Sequence, residues 1–144
     1  MKERLYKTPF YASIALCLAL MFSAMSISAA EFKDGVTHLS QKEFMEKVKE
    51  PNVVVIDVRT VREYRRGFIE GAINHPHKTI LKDVTILDQY VGKDLIFYCH
   101  SGVRAKILTD YVRETKKVKD ARLFHLKGDT RAWRARGLPL VKPN

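Results

Sequence analysis

Leu95-Ile96-Phe97-Tyr98-Cys99-His100-Ser101-Gly102-Val103-Arg104 decides how this 144-residue chain folds. The four apolar residues at its start read as a buried strand. Cys99 ends that run, and an amphipathic pattern opens almost at once with Val103, Ile107, Leu108, Tyr111 and Val112. A strand, a short turn and a helix start in succession place one sulfur above a ring of backbone N–H groups. Those groups and the helix dipole form a positive cup for an anion. A thiol seated in such a cup ionises more readily and is available as a nucleophile.

The flanking sequence repeats the alternation. Val53-Val54-Val55-Ile56 is a continuous β-branched run, suited to a strand covered on both faces in a parallel sheet, and it leads into Asp57-Val58-Arg59. Val36–Leu39, Ala72–Asn74 and Arg122–Leu126 read as further strands. Ser40 and Thr60 each precede a glutamate by three residues, Glu43 and Glu63, which predicts two capping boxes at helix starts. Leu39 and Phe44 are spaced as a hydrophobic staple, and Gly67 closes the helix that begins after Thr60. Helical stretches are also expected over Thr79–Tyr90, Val103–Glu114 and Thr130–Arg136, the last stopped by Gly137 and Pro139. Strands alternating with helices predict an α/β domain with a mainly parallel sheet covered on both sides. Ligands in such sheets bind beyond the carboxyl ends of strands, which is where Cys99 stands.

Lys2, Arg4 and Lys7, partly offset by Glu3, precede the apolar stretch Phe10–Ile27, and Ser28-Ala29-Ala30 supplies small residues at a cleavage position. Residues 1–30 are therefore expected to be a signal peptide removed before Glu31. The alternative is a retained anchor of borderline spanning length. Cys17 lies in this segment, and Leu16 ahead of it is too bulky for a lipoprotein signal. Residues 31–144 would then be one domain with Cys99 as its lone thiol, unable to form an internal disulfide. The expected location is the periplasm or another exported compartment, or a membrane surface facing the periplasm if the segment is kept. The formal charge of the whole chain is +10, of which the leader's three basic residues and Glu3 contribute +2. Such charge gathers anions. No base-stacking motif or DNA-reading module appears, so nucleic acid is not an expected partner. A small dianion or an acidic partner surface suits the charge better.

Four segments together resemble the rhodanese family. Ile56-Asp57-Val58-Arg59 with Glu63-Tyr64 is similar to its Asp-x-Arg segment. Gly67-Phe68-Ile69-Glu70-Gly71-Ala72-Ile73-Asn74 is similar to Gly-His-Ile-x-Gly-Ala-Ile-Asn. Cys99 to Arg104 resembles the Cys-x-x-Gly-x-Arg loop of single-domain sulfurtransferases. Leu126 to Pro139, with Gly128, Trp133 and Gly137, resembles the closing Trp-x-x-x-Gly-x-Pro region. The resemblance implies a three-layer α/β/α domain with a mainly parallel five-stranded sheet. It also implies transfer of a sulfane sulfur from thiosulfate or a persulfide donor to cyanide, a thiol or a protein acceptor, through a Cys99 persulfide. No cofactor and no metal is expected. Two positions depart from the pattern: Phe68 stands where histidine is common, and Asp129 where a second glycine is common.

Roles follow from residue chemistry. Cys99 is the expected nucleophile, and the backbone of His100, Ser101, Gly102, Val103 and Arg104 the expected anion-binding set. Gly102 allows the turn with N–H groups inward. Arg104 either binds sulfonate oxygens as a planar fork or ties the loop to Asp57 or another carboxylate. The His100 side chain is expected in solvent, and Ser101 is expected to cap the following helix, with a bond to bound sulfur as its alternative. Asp57 and Arg59 are expected to support the loop, pairing with neighbours such as Glu63. His75-Pro76-His77 lacks a third ligand and reads as surface groups. His38 and His125 show no ligand set, and Trp133 reads as core. Phosphatases and arsenate reductases use Cys-x₅-Arg. Here Arg104 is five positions after Cys99 and Ala105 is six, a shorter ring that suits one sulfur atom. A sulfur carrier or docking module is the other alternative.

Overall fold

The computed structural model describes residues 31–33 and 35–143. The expected signal peptide and Cys17 lie outside the described residues. Among those described, no helix is long and apolar enough to cross a membrane. The order is β1 (Glu31–Lys33), β2 (Val36–Leu39), α1 (Gln41–Lys47), β3 (Val53–Asp57), α2 (Val61–Arg65) and β4 (Ile73–Asn74). Then come α3 (His77–Lys82), a 3₁₀ segment (Val84–Tyr90), β5 (Asp94–Tyr98), α4 (Val103–Thr115), β6 (Arg122–Leu126) and α5 (Asp129–Ala135).

The strands lie in the order β1-β2-β6-β5-β3-β4. The five from β2 to β4 are parallel, as expected, and β5 lies in their middle. β1 adds an antiparallel edge that the sequence pattern does not announce. Two apolar layers flank the sheet. On one face Ile56, Leu95, Phe97 and Cys99 pack against Ile80, Leu87, Ala105, Leu108 and Val112. On the other, Val55, Ile96, Tyr98, Phe124 and Leu126 pack against Phe44 and Trp133. The fold is thus three layers, α/β/α.

Local chemistry accounts for most boundaries. Both capping boxes form: Ser40 Oγ accepts from Glu43 N while Glu43 accepts from Ser40 N, and Thr60 and Glu63 do the same. Leu39 and Phe44 are both buried in one layer, as a staple requires. The helix expected over residues 79–90 is instead two pieces. Asp83 adopts an extended conformation (φ −147°, ψ 97°), and its side chain accepts from Thr85 N, capping the 3₁₀ segment. On α4 the buried stripe is Ala105, Leu108, Thr109 and Val112. Val103 and Ile107, expected in the apolar face, are exposed.

Candidate functional site

Cys99 follows directly on β5, at the carboxyl end of the middle parallel strand. As a residue it is 1% exposed and belongs to the apolar cluster that includes Ala105 and Leu108 of α4. Its sulfur is nonetheless in a polar setting. Gly102 N–H donates to Cys99 Sγ at 3.1 Å. Gly102 has φ +94°, a left-handed conformation open to glycine, and that turn is what aims its N–H back at the sulfur.

Among the described residues Gly102 supplies the one backbone N–H bonded to the sulfur, and Arg104 stands beside that sulfur from the first turn of α4. Its guanidinium makes two bonds to Glu63, Nη1 to Oε2 at 2.7 Å and Nη2 to Oε1 at 2.8 Å. The Glu63 bonds raise the Arg104 pKa against partial burial, and the Cys99 sulfur beside it acts in the same direction. Glu63 is correspondingly held well below the usual carboxylate range, chiefly by Arg104, against its own partial burial. The carboxylate that ties Arg104 is therefore Glu63 on α2, and not Asp57.

Asp57 and Arg59 pair with each other instead of with Glu63. Arg59 Nη2 donates to Asp57 Oδ2 at 2.5 Å and to Gly67 O at 2.8 Å. Both are buried. Burial opposes the charge on Arg59, but the Asp57 bonds outweigh it and raise its pKa. Asp57 is in register with Tyr98, so the pair lies on the face opposite the Cys99 side chain. Its support reaches the loop through strand pairing, with Val58 N donating to Tyr98 O at 3.0 Å. The Tyr98 hydroxyl accepts from Ile69 N, and burial pushes its pKa far up, with Asp57 adding to it.

The loop is clamped by a third element that the sequence pattern did not assign to the site. At the start of α5, Thr130 N donates to Cys99 O at 3.2 Å and Arg131 N to His100 O at 3.1 Å. Asp129 Oδ1 accepts from Cys99 N at 2.5 Å. The composition signal for this was Asp129 itself, an acid where glycine was expected.

The remaining expectations divide. The His100 side chain is exposed, as expected. Ser101 is exposed and does not cap α4; Gly102 occupies that position with no side-chain cap, because the chain turns through a left-handed residue there. Val103 is 65% exposed on the rim. His75 and His77 are half-buried, not surface groups: His75 Nε2 lies 3.0 Å from the Tyr90 hydroxyl, and burial lowers both their pKa values. Trp133 is core, edge-on to Phe44, with its Nε1–H bonded to Pro139 O at 2.8 Å. Phe68 stacks on Tyr64 with centroids 4.0 Å apart and bridges to Val141. Among the described residues no group of three His, Cys, Asp or Glu side chains is placed to hold a metal ion. An apolar groove of about 460 Å³, lined by Met45, Val48, Ile73, Trp133 and Leu138 among others, contains none of the Cys99 loop residues.

Similarity to known proteins agrees with this architecture. The chain is 27% identical over 124 residues to the tRNA uridine(34) hydroxylase of Buchnera aphidicola, covering 74% of this chain but only 40% of that protein. It is 29% identical over 92 residues to a sulfurtransferase of Allochromatium vinosum, covering 64% of this chain and 81% of that one. A rhodanese-related protein from Thermoplasma volcanium superposes with a TM-score of 0.62 at 22% identity, over 74% of this chain and 98% of that chain, which is a likeness of fold. The rhodanese-like domain matches residues 40–136, a span that holds the cup, its Arg104–Glu63 tie and the α5 clamp. The chain belongs to the rhodanese-like domain family.

Proposed function

We propose that this protein is a sulfurtransferase that carries a sulfane sulfur as a persulfide on Cys99, with thiosulfate or a persulfide as donor. The observation that carries the reading is the Gly102 N–H bond to Cys99 Sγ at 3.1 Å, with the charged Arg104 beside the same sulfur. An N–H donor and a guanidinium stabilise a thiolate and, one atom further out, the terminal sulfur of a persulfide.

In the first half-reaction the Cys99 thiolate attacks the outer sulfur of thiosulfate. The new S–S bond forms as the old one breaks, and its electron pair leaves on sulfite. In the second, cyanide or a thiolate acceptor attacks the outer persulfide sulfur, and the electron pair returns to Cys99. Arg104 offsets the repulsion between the incoming dianion and the thiolate. From the hydroxylase relatives only the shared domain enters this reading. The apolar run Phe10–Ile27 with Ser28-Ala29-Ala30 supports an exported enzyme, so its partner would be an anionic sulfur donor outside the cytoplasm.

Incubation with thiosulfate and cyanide should yield thiocyanate in the wild type and none in Cys99→Ser. Intact mass spectrometry after thiosulfate alone should show one added sulfur atom that cyanide removes. A stable persulfide without turnover would favour the carrier reading. Turnover in Cys99→Ser would remove Cys99 from the chemistry.

A further inference from the structure

Asp129 is fully buried with φ +52°, an unfavourable backbone conformation for a residue with a side chain. Both of its oxygens are engaged. Oδ1 holds Cys99 N, and Oδ2 lies 3.0 Å from His125 Nε2. His125 Nδ1 in turn lies 3.1 Å from His38 Nδ1. His38 and His125 are register partners on β2 and β6, and Phe97 of the Cys99 face is in register with His125. A Cβ placed on Gly102 would sit 3.1 Å from Asp129 Oδ2 and 3.5 Å from His125 Cε1. The carboxylate and imidazole thus stand directly behind the residue whose N–H donates to Cys99 Sγ.

A carboxylate beneath a cup built for an anion opposes that anion unless positive charge accompanies it. Hydrogen-bond roles show how charge can be supplied. To engage a carboxylate, His125 Nε2 must carry its proton, so the Nδ1–Nδ1 contact needs one donor and one acceptor. With a further proton on His38 Nε2 the pair holds one positive charge. The proton between the two Nδ1 atoms then places that charge on either ring.

We propose that Asp129, His125 and His38 form a positioning relay for Cys99, in which the carboxylate fixes the Cys99 peptide and the imidazole pair carries the proton that lets an anion form above it. This rests on reading Cys99 as a reactive thiolate. The other titratable and charged groups around the cup are Arg104 and Glu63 from α4 and α2, His77 from α3 and His100 in the loop. Along the backbone beside the relay, Lys127 follows β6 and Glu31 is the register partner of His38 on β1. None of these bridges Asp129 to Cys99.

The test is alkylation of Cys99 by iodoacetamide across pH on the full chain, which reads the thiolate whether or not sulfur is transferred. His125→Gln keeps a donor for Asp129 but no movable charge. Its alkylation at pH 7 should slow about tenfold, the curve moving about one pH unit to the alkaline side. Asp129→Asn, which keeps an acceptor for Cys99 N without charge, should alkylate at least as fast as wild type, and adding His125→Gln to it should return the rate to about that of wild type, since the carboxylate and the charge that offsets it are then both gone. Should His125→Gln not fold, imidazole NMR of the wild type serves. His38 and His125 should titrate as a coupled pair, and that titration should move when Cys99 is carbamidomethylated. Wild-type alkylation in His125→Gln, or imidazole titrations indifferent to Cys99, overturns the relay. Loss of thiosulfate turnover with these responses intact overturns the proposed function alone.

Discussion

Arg104 shows how a residue's role depends on its partner. Its two bonds to Glu63 use the planar fork, a geometry that an ammonium cannot copy. We expect Arg104→Lys to keep thermal stability within a few degrees yet lower kcat/KM for thiosulfate about tenfold, or about 1.4 kcal/mol. Glu63→Gln should have a smaller effect of the same sign, since the fork is loosened but the charge remains. If Arg104→Lys lowered only the melting temperature, the pair would be a strut and not part of donor binding. Cys99, Gly102 and Arg104 were legible in the sequence because their spacing is local. Glu63 was visible as a helix cap and as an expected neighbour of Asp57 and Arg59; its bond to Arg104, 41 residues away, was not.

Elements meet around the loop in a way that residue types alone do not announce. The end of β3 is locked by Asp57 and Arg59, and Arg59 also holds Gly67 O at the turn after α2. Arg59→Ala would leave a buried carboxylate without its counter-charge, at a cost of about 3–5 kcal/mol. Urea unfolding followed by Trp133 fluorescence should show it. A loss under about 1 kcal/mol would mean that water reaches Asp57 and that the pair is not a true lock. The five parallel strands and both capping boxes are legible because period and cap chemistry are local signals, whereas the edge strand β1 is not. The break at Asp83 was not, since a single aspartate competes there for Thr85 N within a run that keeps helical spacing. Val103 and Ile107 were misassigned because the helix turns their side to solvent, which periodicity alone cannot orient.

On the scale of the whole molecule, the carboxylates and histidines with shifted values act in one direction. Glu63 and Asp94 lie below their ordinary 4.5 and 3.8. Arg104 is the main cause for Glu63; for Asp94, burial pushes upward and Arg122 and Lys47 outweigh it. Their contribution is complete above those ordinary values and is lost as pH falls through the lower folded ones. Burial lowers His75 and His77 from 6.5, so their contribution is likewise present above 6.5 and lost on acidification. We expect the melting temperature to decline in two stages, beginning below about pH 6.5 and steepening below about pH 4.5. The double variant His75→Gln, His77→Gln should lack the first stage; its persistence would place the source elsewhere. The net charge of +10 predicts a second bulk property. Raising ionic strength from about 0.01 to 0.15 M shortens the screening length from about 30 to 8 Å, and kcat/KM for thiosulfate should fall several-fold. A salt-independent rate would confine the attraction to Arg104. The sequence by itself determined the alternating strands and helices, the lone thiol of the domain at a strand end and the five-position spacing to Arg104, because each is written in neighbouring residues. Tertiary structure decided that Arg104 meets Glu63, that Asp57 and Arg59 face away from the sulfur, and that His38, His125 and Asp129 converge beneath it. Those outcomes depend on the strand order β2-β6-β5-β3, which brings together residues up to 87 positions apart, and no local pattern encodes that order.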